Sequence, residues 1–302
     1  MRQSQRVAEV ATVKVCVIVN PAAGQALWRP DIHKAIDLLR GLDWDVAVFE
    51  TDARHKGTEL ARKAVAEGCQ LVVACGGDGT INEIIQALPG TDVALGVIPT
   101  GTTNVFAREM GIPSSPLEAV KALATGKTRL LDVGTCGDRY FLLWAGVGFD
   151  AQVLLNVKPK SKRRYGIPAF FASIFLTLFK FEGRRVELIV DDKKFNRRVL
   201  LVVVSNIKRY AVFELSRDAE PDDGLFEVLI FAGSGTFTKL RHLLALALRR
   251  HRTSPEVESY RARSVTLRSE KPLPVQTDGD VIGETPVHLK MLPRSLKVVL
   301  PK

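Results

Sequence analysis

A chain of 302 residues, 46% hydrophobic and 25% charged, has the balance of a globular protein and the length for two cores, which excludes wholesale disorder and a polytopic membrane protein. Lys and Arg outnumber Asp and Glu by 43 to 33, a formal charge of +10 that favours nucleotides, nucleic acids or anionic membrane surfaces as partners. Cys16, Cys69, Cys75 and Cys136 form no CxxC pair and mostly sit in apolar runs, so buried thiols in a reducing, cytoplasmic setting are expected rather than disulfides or a zinc site. Residues 1–11 lack the apolar segment of a secretory signal. The longest apolar stretch, 167–181, is interrupted by Lys180 and falls short of the roughly 20 residues a spanning helix needs.

From residue 13 to about 133, β-branched runs alternate with amphipathic segments, the pattern of βα units wound into a parallel sheet. Strands are predicted at 13–19, 45–49, 71–75 and 93–98, and helices at 31–40 and 58–67, with Gly41 and Gly68 in the C-terminal stop position. Ser115-Pro116 opens a further helix to about 124, and 129–133 returns to extended structure. Beyond Gly134 the rhythm changes to closely spaced strands at 140–145, 186–190, 199–204, 226–231, 257–267 and 287–291, which predicts an antiparallel sandwich. Two helices interrupt it, over 167–180 and 236–250; the second puts Leu240, Leu243, Leu244, Ala247 and Leu248 on one face with Arg and Lys opposite. The expected division is an N-terminal α/β domain over 1–133, which the C-terminal strand 294–302 is a candidate to join, and a β-rich sandwich domain over 134–293.

Chemistry concentrates where predicted strands run into glycine turns. Leu71 to Cys75 leads through Gly76-Gly77-Asp78-Gly79-Thr80 into a helix beginning near Thr80, a turn that aims backbone N–H groups and a positive helix end at phosphate oxygens. Asp78 adds a carboxylate able to bind magnesium or accept a proton, or simply to cap a helix. Pro99-Thr100-Gly101-Thr102-Thr103-Asn104 and Asn20-Pro21-Ala22-Ala23-Gly24 follow neighbouring strands, and a parallel sheet brings all three turns to its carboxyl edge. No GxxxxGK[ST] loop and no GxGxxG in the first βα unit occur, which argues against a Walker-type site and a dinucleotide fingerprint. His33, His55, His242, His251 and His288 lack metal spacing.

These three turns, in order and spacing, resemble the catalytic domain of diacylglycerol kinases and sphingosine kinases, the bacterial soluble lipid kinases above all. The likeness continues through Arg108-Glu109-Met110-Gly111-Ile112-Pro113, Asp132-Val133-Gly134, Gly146-Val147-Gly148-Phe149-Asp150, Pro221-Asp222-Asp223-Gly224-Leu225 and Gln276-Thr277-Asp278-Gly279-Asp280. The resemblance implies ATP bound between the α/β domain and a lipid-binding sandwich, with Asn20, Thr51, Gly76, Gly77, Asp78, Gly79, Thr80, Ile81, Asn82 and Thr102 lining its site. It implies a magnesium site at Glu220, Asp223 and the Leu225 carbonyl, and a catalytic carboxylate in the Gln276–Asp280 stretch, where Asp280 stands in place of the usual Glu. Asp278 or Asp280 is then the proton acceptor. Val105 replaces an Asp common in the family, which leaves Asp78 and Asp132 as candidates for a magnesium-linked network.

The implied reaction is ATP- and magnesium-dependent phosphorylation of a lipid hydroxyl. The basic run Lys158-Pro159-Lys160-Ser161-Lys162-Arg163-Arg164 directly precedes the apolar 167–181 segment, a combination suited to peripheral contact with an anionic membrane. An NAD kinase is the alternative, because such enzymes share the Gly-Gly-Asp-Gly-Thr loop followed by Asn-Glu. Nucleic-acid binding has only the charge in its favour, since no aromatic-basic surface motif is found. Oligomeric state stays open, a homodimer included.

Overall fold

The structure, a computed structural model, describes residues 12–23, 29–51, 56–156, 167–210 and 213–302. The first half runs β1 (Val13–Val19), α1 (Arg29–Arg40), β2 (Trp44–Glu50), α2 (Lys56–Ala66), β3 (Leu71–Gly76), α3 (Asp78–Ile84), β4 (Ala94–Pro99), α4 (Val105–Glu109), α5 (Pro116–Thr125) and β5 (Lys127–Cys136). β2, β1, β3 and β4 pair in parallel in that order. β1, β3 and β4 are buried almost throughout, as continuous apolar runs covered on both faces require. The helix after β3 begins at Asp78, two residues before the predicted start, because the Gly77 carbonyl already accepts from the Thr80 and Ile81 N–H groups.

The second half continues with β6 (Arg139–Phe141), β7 (Trp144–Gly148), α6 (Phe149–Asn156), α7 (Ile167–Lys180), β8 (Arg184–Val190), β9 (Lys193–Ser205), β10 (Arg209–Tyr210), β11 (Phe213–Glu214), β12 (Phe226–Ala232) and α8 (Thr236–Ala247). A 3₁₀ turn at His251–Thr253 precedes β13 (Val257–Ala262), β14 (Ser264–Ser269), β15 (Pro274–Thr277), β16 (Asp280–Glu284) and β17 (Val287–Leu300). The predicted strand at 257–267 is two strands. Asp191 Oδ1 accepts the Arg263 and Ser264 N–H groups at 2.9 and 2.8 Å and turns the chain between them. The predicted strand at 140–145 is likewise divided between β6 and β7, where the Asp278 carboxylate takes the Leu142, Leu143 and Trp144 N–H groups out of the ladder.

The two halves are hydrogen-bonded into one 15-stranded sheet. β17 joins them: residues 297–298 run parallel to β4, residues 287–290 antiparallel to β14, and β5 lies along most of its length. Two apolar cores result, both touched by β9 and β12. Val203, Leu229 and Phe231 face the first, while Val202, Val204, Val228 and Ile230 face the second, so alternate side chains of the same strands serve both. The four cysteines are free and buried, and burial pushes the Cys16 and Cys75 thiols up to about 12. Among the described residues no helix is long and apolar enough to cross a membrane. The basic run 158–164 lies outside the described residues.

Candidate active site

The parallel sheet delivers its turns to one carboxyl edge, and backbone contacts lock them together. The Thr100 N–H donates to the Gly76 carbonyl at 2.9 Å, and the Asn20 N–H to the Cys75 carbonyl at 2.9 Å. Asn20 Nδ2 reaches Thr80 Oγ1 at 3.1 Å, and the Thr51 N–H donates to the Val19 carbonyl at 2.8 Å. The glycines meet where only glycines fit: a Cβ on Gly101 would lie 2.5 Å from the Gly77 Cα. Gly79 and Thr102 are exposed at this edge, while Thr80, Ile81 and Asn82 are buried behind them.

Asp78 does not face solvent as a free carboxylate. Its Oδ2 accepts from the Val105 N–H at 3.0 Å and the Thr103 hydroxyl at 3.2 Å, and its Oδ1 from the Phe106 N–H at 3.0 Å. It therefore caps α4 from outside, satisfying N–H groups that Asn104 leaves without a side-chain cap. Asn104, at φ 45°, closes its amide on both polar groups of Gly101 and holds the second glycine turn. Val105 is buried in the apolar core, and its backbone N–H is what Asp78 holds.

One helical turn beyond Asp78, Asn82 points the other way, into the second half of the chain. Its Nδ2 donates to Asp278 Oδ2 at 3.0 Å, and its Oδ1 accepts from Arg139 at 2.7 Å. Arg139 also donates to Asp280 Oδ2 at 3.0 Å, so a single arginine spans α3 and the β15–β16 hairpin. Nothing local in the sequence singles out Arg139; its role is visible only once the two halves meet.

Asp278 and Gly279 both have positive φ, 49° and 87°, which makes the hairpin a two-residue type I′ turn. The Asp278 carboxylate accepts four N–H bonds, from Leu142, Leu143, Trp144 and Asn82. Burial pushes this carboxyl up to about 6, against the pull of those donors. Asp280, by contrast, is exposed over 43% of its side chain and has Arg139 as its one ion-pair partner among the described residues. Below the turn, Gln276 donates to Asp150 Oδ2 at 2.9 Å and accepts the Gly279 N–H at 2.8 Å, and the Tyr210 hydroxyl donates to the same Asp150 oxygen at 2.6 Å.

The residues expected to hold magnesium lie apart from this hairpin's hydrogen bonds and are already neutralised. Glu220 pairs with Lys208 at 2.7 Å and Asp223 with Arg261, while Asp223 Oδ1 caps its own turn through the Leu225 N–H. Among the described residues no group of three or more His, Cys, Asp or Glu side chains is arranged to hold a metal ion. Glu220 and Asp223 thus each pair with a different cation of the chain. Asp132 takes the Gly224 and Arg294 N–H groups, and it shares no hydrogen-bond partner with Asp78. Burial raises its carboxyl above the usual range.

Glycine turns gathered at one sheet edge and tied through Asn82 to a carboxylate hairpin are the arrangement a phosphotransferase needs. The family model described as the diacylglycerol kinase catalytic domain matches residues 14–136, and that described as the YegS C-terminal NAD kinase beta sandwich-like domain matches residues 144–300. A diacylglycerol kinase of Staphylococcus epidermidis is 30% identical over 290 residues, covering 95% of this chain and 92% of its own length. That of Bacillus subtilis is 29% identical over 291 residues, covering 95% and 96%. The crystal structure of a putative diacylglycerol kinase from Bacillus anthracis has the same fold, with a TM-score of 0.82 at 23% identity over 98% of each chain. The chain belongs to the diacylglycerol kinase family of lipid kinases, and it is a kinase with an alcohol group as acceptor.

Proposed function

We propose that the protein transfers the γ-phosphoryl group of ATP, supplied as its magnesium complex, to the hydroxyl of a diacylglycerol-like lipid. The lipid oxygen attacks the γ-phosphorus, the bond to the β–γ bridging oxygen breaks, and the hydroxyl proton passes to a carboxylate. Asp280 suits that role because it is accessible and held by Arg139, whereas all the hydrogen-bonding capacity observed at Asp278 is spent on N–H groups. Asp278 positions the hairpin, and Asp78 positions the second glycine turn. Gly76 to Asn82, with Asn20, Thr51 and Thr102, forms the ATP site in this reading.

The single observation that carries it is the bridge from Asn82 to Asp278 and, through Arg139, to Asp280, which ties the glycine-loop helix to the carboxylate hairpin. The names of the relatives support a glycerolipid acceptor. A cytoplasmic protein in peripheral contact with the anionic membrane that holds its substrate fits the charge of +10. The NAD kinase-like description of the second half keeps a soluble dinucleotide acceptor as the second reading.

The test is to incubate the pure protein with labelled ATP, magnesium, a panel of lipid alcohols and NAD, and to identify the labelled product. Label on a lipid alcohol supports the proposal. Label on NAD alone overturns it.

A further inference from the structure

Helix α8 is inside out. Along Thr236–Ala247 and its cap the polar side chains Lys239 and His242 are 4% and 5% exposed, while Phe237, Leu240, Leu244 and Leu248 are 80%, 55%, 58% and 58% exposed. The spacing of those four, three or four residues apart, makes one stripe on one helical face. The inversion is specified by hydrogen bonds: Lys239 Nζ donates to the Phe181 carbonyl at 2.5 Å, and His242 Nε2 meets the Ala232 carbonyl at 2.9 Å. Burial holds both groups below their usual pKa ranges. α8 packs against α7, which exposes Phe175, Leu176 and Phe179, the two phenylalanines forming an edge-to-face pair at 5.0 Å.

Water is a poor solvent for such a face, and apolar patches spread over neighbouring helices mark interaction surfaces. The charges beside it choose the occupant. Lys180 ends α7, and Arg249 and Arg250 follow α8; all three are exposed, with Glu182 the exposed acid next to them in sequence. A symmetric contact between two copies would bring both sets of these cations into one interface, whereas anionic headgroups complement them.

We infer that the exposed faces of α7 and α8 together insert into the surface of an anionic phospholipid bilayer. The inference deepens the lipid-kinase reading and rests on it for the source of the acceptor. The face is mechanically close to the hairpin. Ser173 and Thr177 of α7 bond Val153 and Asn156 of α6 at 2.7 and 2.9 Å, and Asp150 at the start of α6 holds Gln276 beneath Asp280. A lipid lifted from the bilayer at α7 is thus delivered on the element that adjoins the proton acceptor.

The test compares the wild type with a Phe237→Ser/Leu244→Ser variant and an Arg249→Gln/Arg250→Gln variant, all at exposed positions, with an unchanged melting temperature expected for both. Sedimentation is measured with vesicles of phosphatidylglycerol and phosphatidylcholine, and with phosphatidylcholine alone. The expected result is binding of the wild type to the anionic vesicles and a loss of roughly tenfold or more in either variant. Activity on a short-chain, monomerically dispersed diacylglycerol should stay unchanged in both. Equal binding by all three proteins overturns the inference. So does a wild-type dimer in sedimentation velocity that the Phe237→Ser/Leu244→Ser variant converts to monomer, since a second copy then covers the face. A wild type inactive on the short-chain acceptor sinks the diacylglycerol reading, while sedimentation still decides the surface.

Discussion

The Asn82 amide and the Asp278 carboxylate, 196 residues apart in sequence, meet at 3.0 Å, and this bond fixes the carboxylate hairpin to the helix that begins at the glycine loop. In the proposed reaction it holds the nucleotide loop and the proton acceptor in register, so the pair should act as a unit. Asn82→Ala and Asp278→Asn are each expected to lower kcat more than they raise the KM for ATP. Combined, they should lose less than the sum, with a coupling of about 1–2 kcal/mol in a double-mutant cycle on kcat. Strictly additive losses would show that the bond carries no positioning.

Asp280 is the reachable carboxylate of the hairpin, so its neutralisation should strike the chemical step. Asp280→Asn is expected to lower kcat by about 10²–10⁴-fold while nucleotide binding, followed by fluorescence or calorimetry, stays near wild type. Asp280→Glu restores the residue usual in the family and lengthens the reach by one methylene. Activity within about tenfold of the wild type is expected for it. A fully active Asp280→Asn protein would move the proton acceptor elsewhere.

Protonation of Asp278 gives a stability prediction with a definite sign. Burial raises its carboxyl from 3.8 to about 6 in the folded protein, so between those values the folded state holds a proton that the unfolded chain has released. The contribution of this group to stability is therefore greatest below about pH 4 and falls as pH rises through 6. Asp278→Asn cannot titrate, and it is less stable at every pH because its amide confronts N–H donors. The difference in melting temperature between wild type and variant should narrow from pH 4 to 6.5. A widening gap would mean that the four N–H bonds outweigh burial and hold the carboxylate ionised.

The contact between the glycine turns leaves no room for a side chain. A methyl on Gly101 would sit 2.5 Å from the Gly77 Cα and 2.7 Å from Asn104 Oδ1, neither of which can yield without moving the loop. Gly101→Ala should raise the KM for ATP by about tenfold or more through displaced N–H groups. Gly41→Ala, before β2 at the opposite edge of the sheet, is the matched control, since its methyl would come no closer than 3.4 Å to its nearest neighbour. Steady-state kinetics on both variants distinguishes the two outcomes.

The turns at Asn20, Gly76 and Pro99 were legible in the sequence because each is a local event, an apolar run entering glycines, and the parallel sheet then fixes where they converge. The Gln276–Asp280 stretch was picked out only by the family resemblance, and the fold makes Asp278-Gly279 its turn. What no local pattern carries is the partner across the fold: Arg139 stands in an ordinary hairpin, and its reach to both Asn82 and Asp280 exists only when β6 lies beside β5. The stripe of leucines on α8 was visible as a period, but a period does not say which face turns inward. That was decided by the Phe181 and Ala232 carbonyls, which give Lys239 and His242 buried partners. Val105 marks a missing carboxylate in the sequence; in the fold its N–H is the group that occupies Asp78.

The 220–225 turn separates a metal-built structure from one built by ion pairs. Glu220 and Asp223 are held by Lys208 and Arg261, Asp222 pairs with Arg129 at 2.5 Å, and Asp132 ties the turn down through the Gly224 N–H. With these pairs formed, the folded protein is expected not to depend on a divalent ion for its stability. Added EDTA is expected to leave the melting temperature of the nucleotide-free protein unchanged. It should abolish turnover nonetheless, because in the proposed reaction magnesium arrives with ATP. Arg261→Ala frees the Asp223 carboxylate beside Asp222, and this variant alone should gain melting temperature on addition of magnesium. A wild-type protein that melts several degrees lower in EDTA would show that a divalent ion is a structural part of the turn and that these arginine and lysine pairs do not replace it.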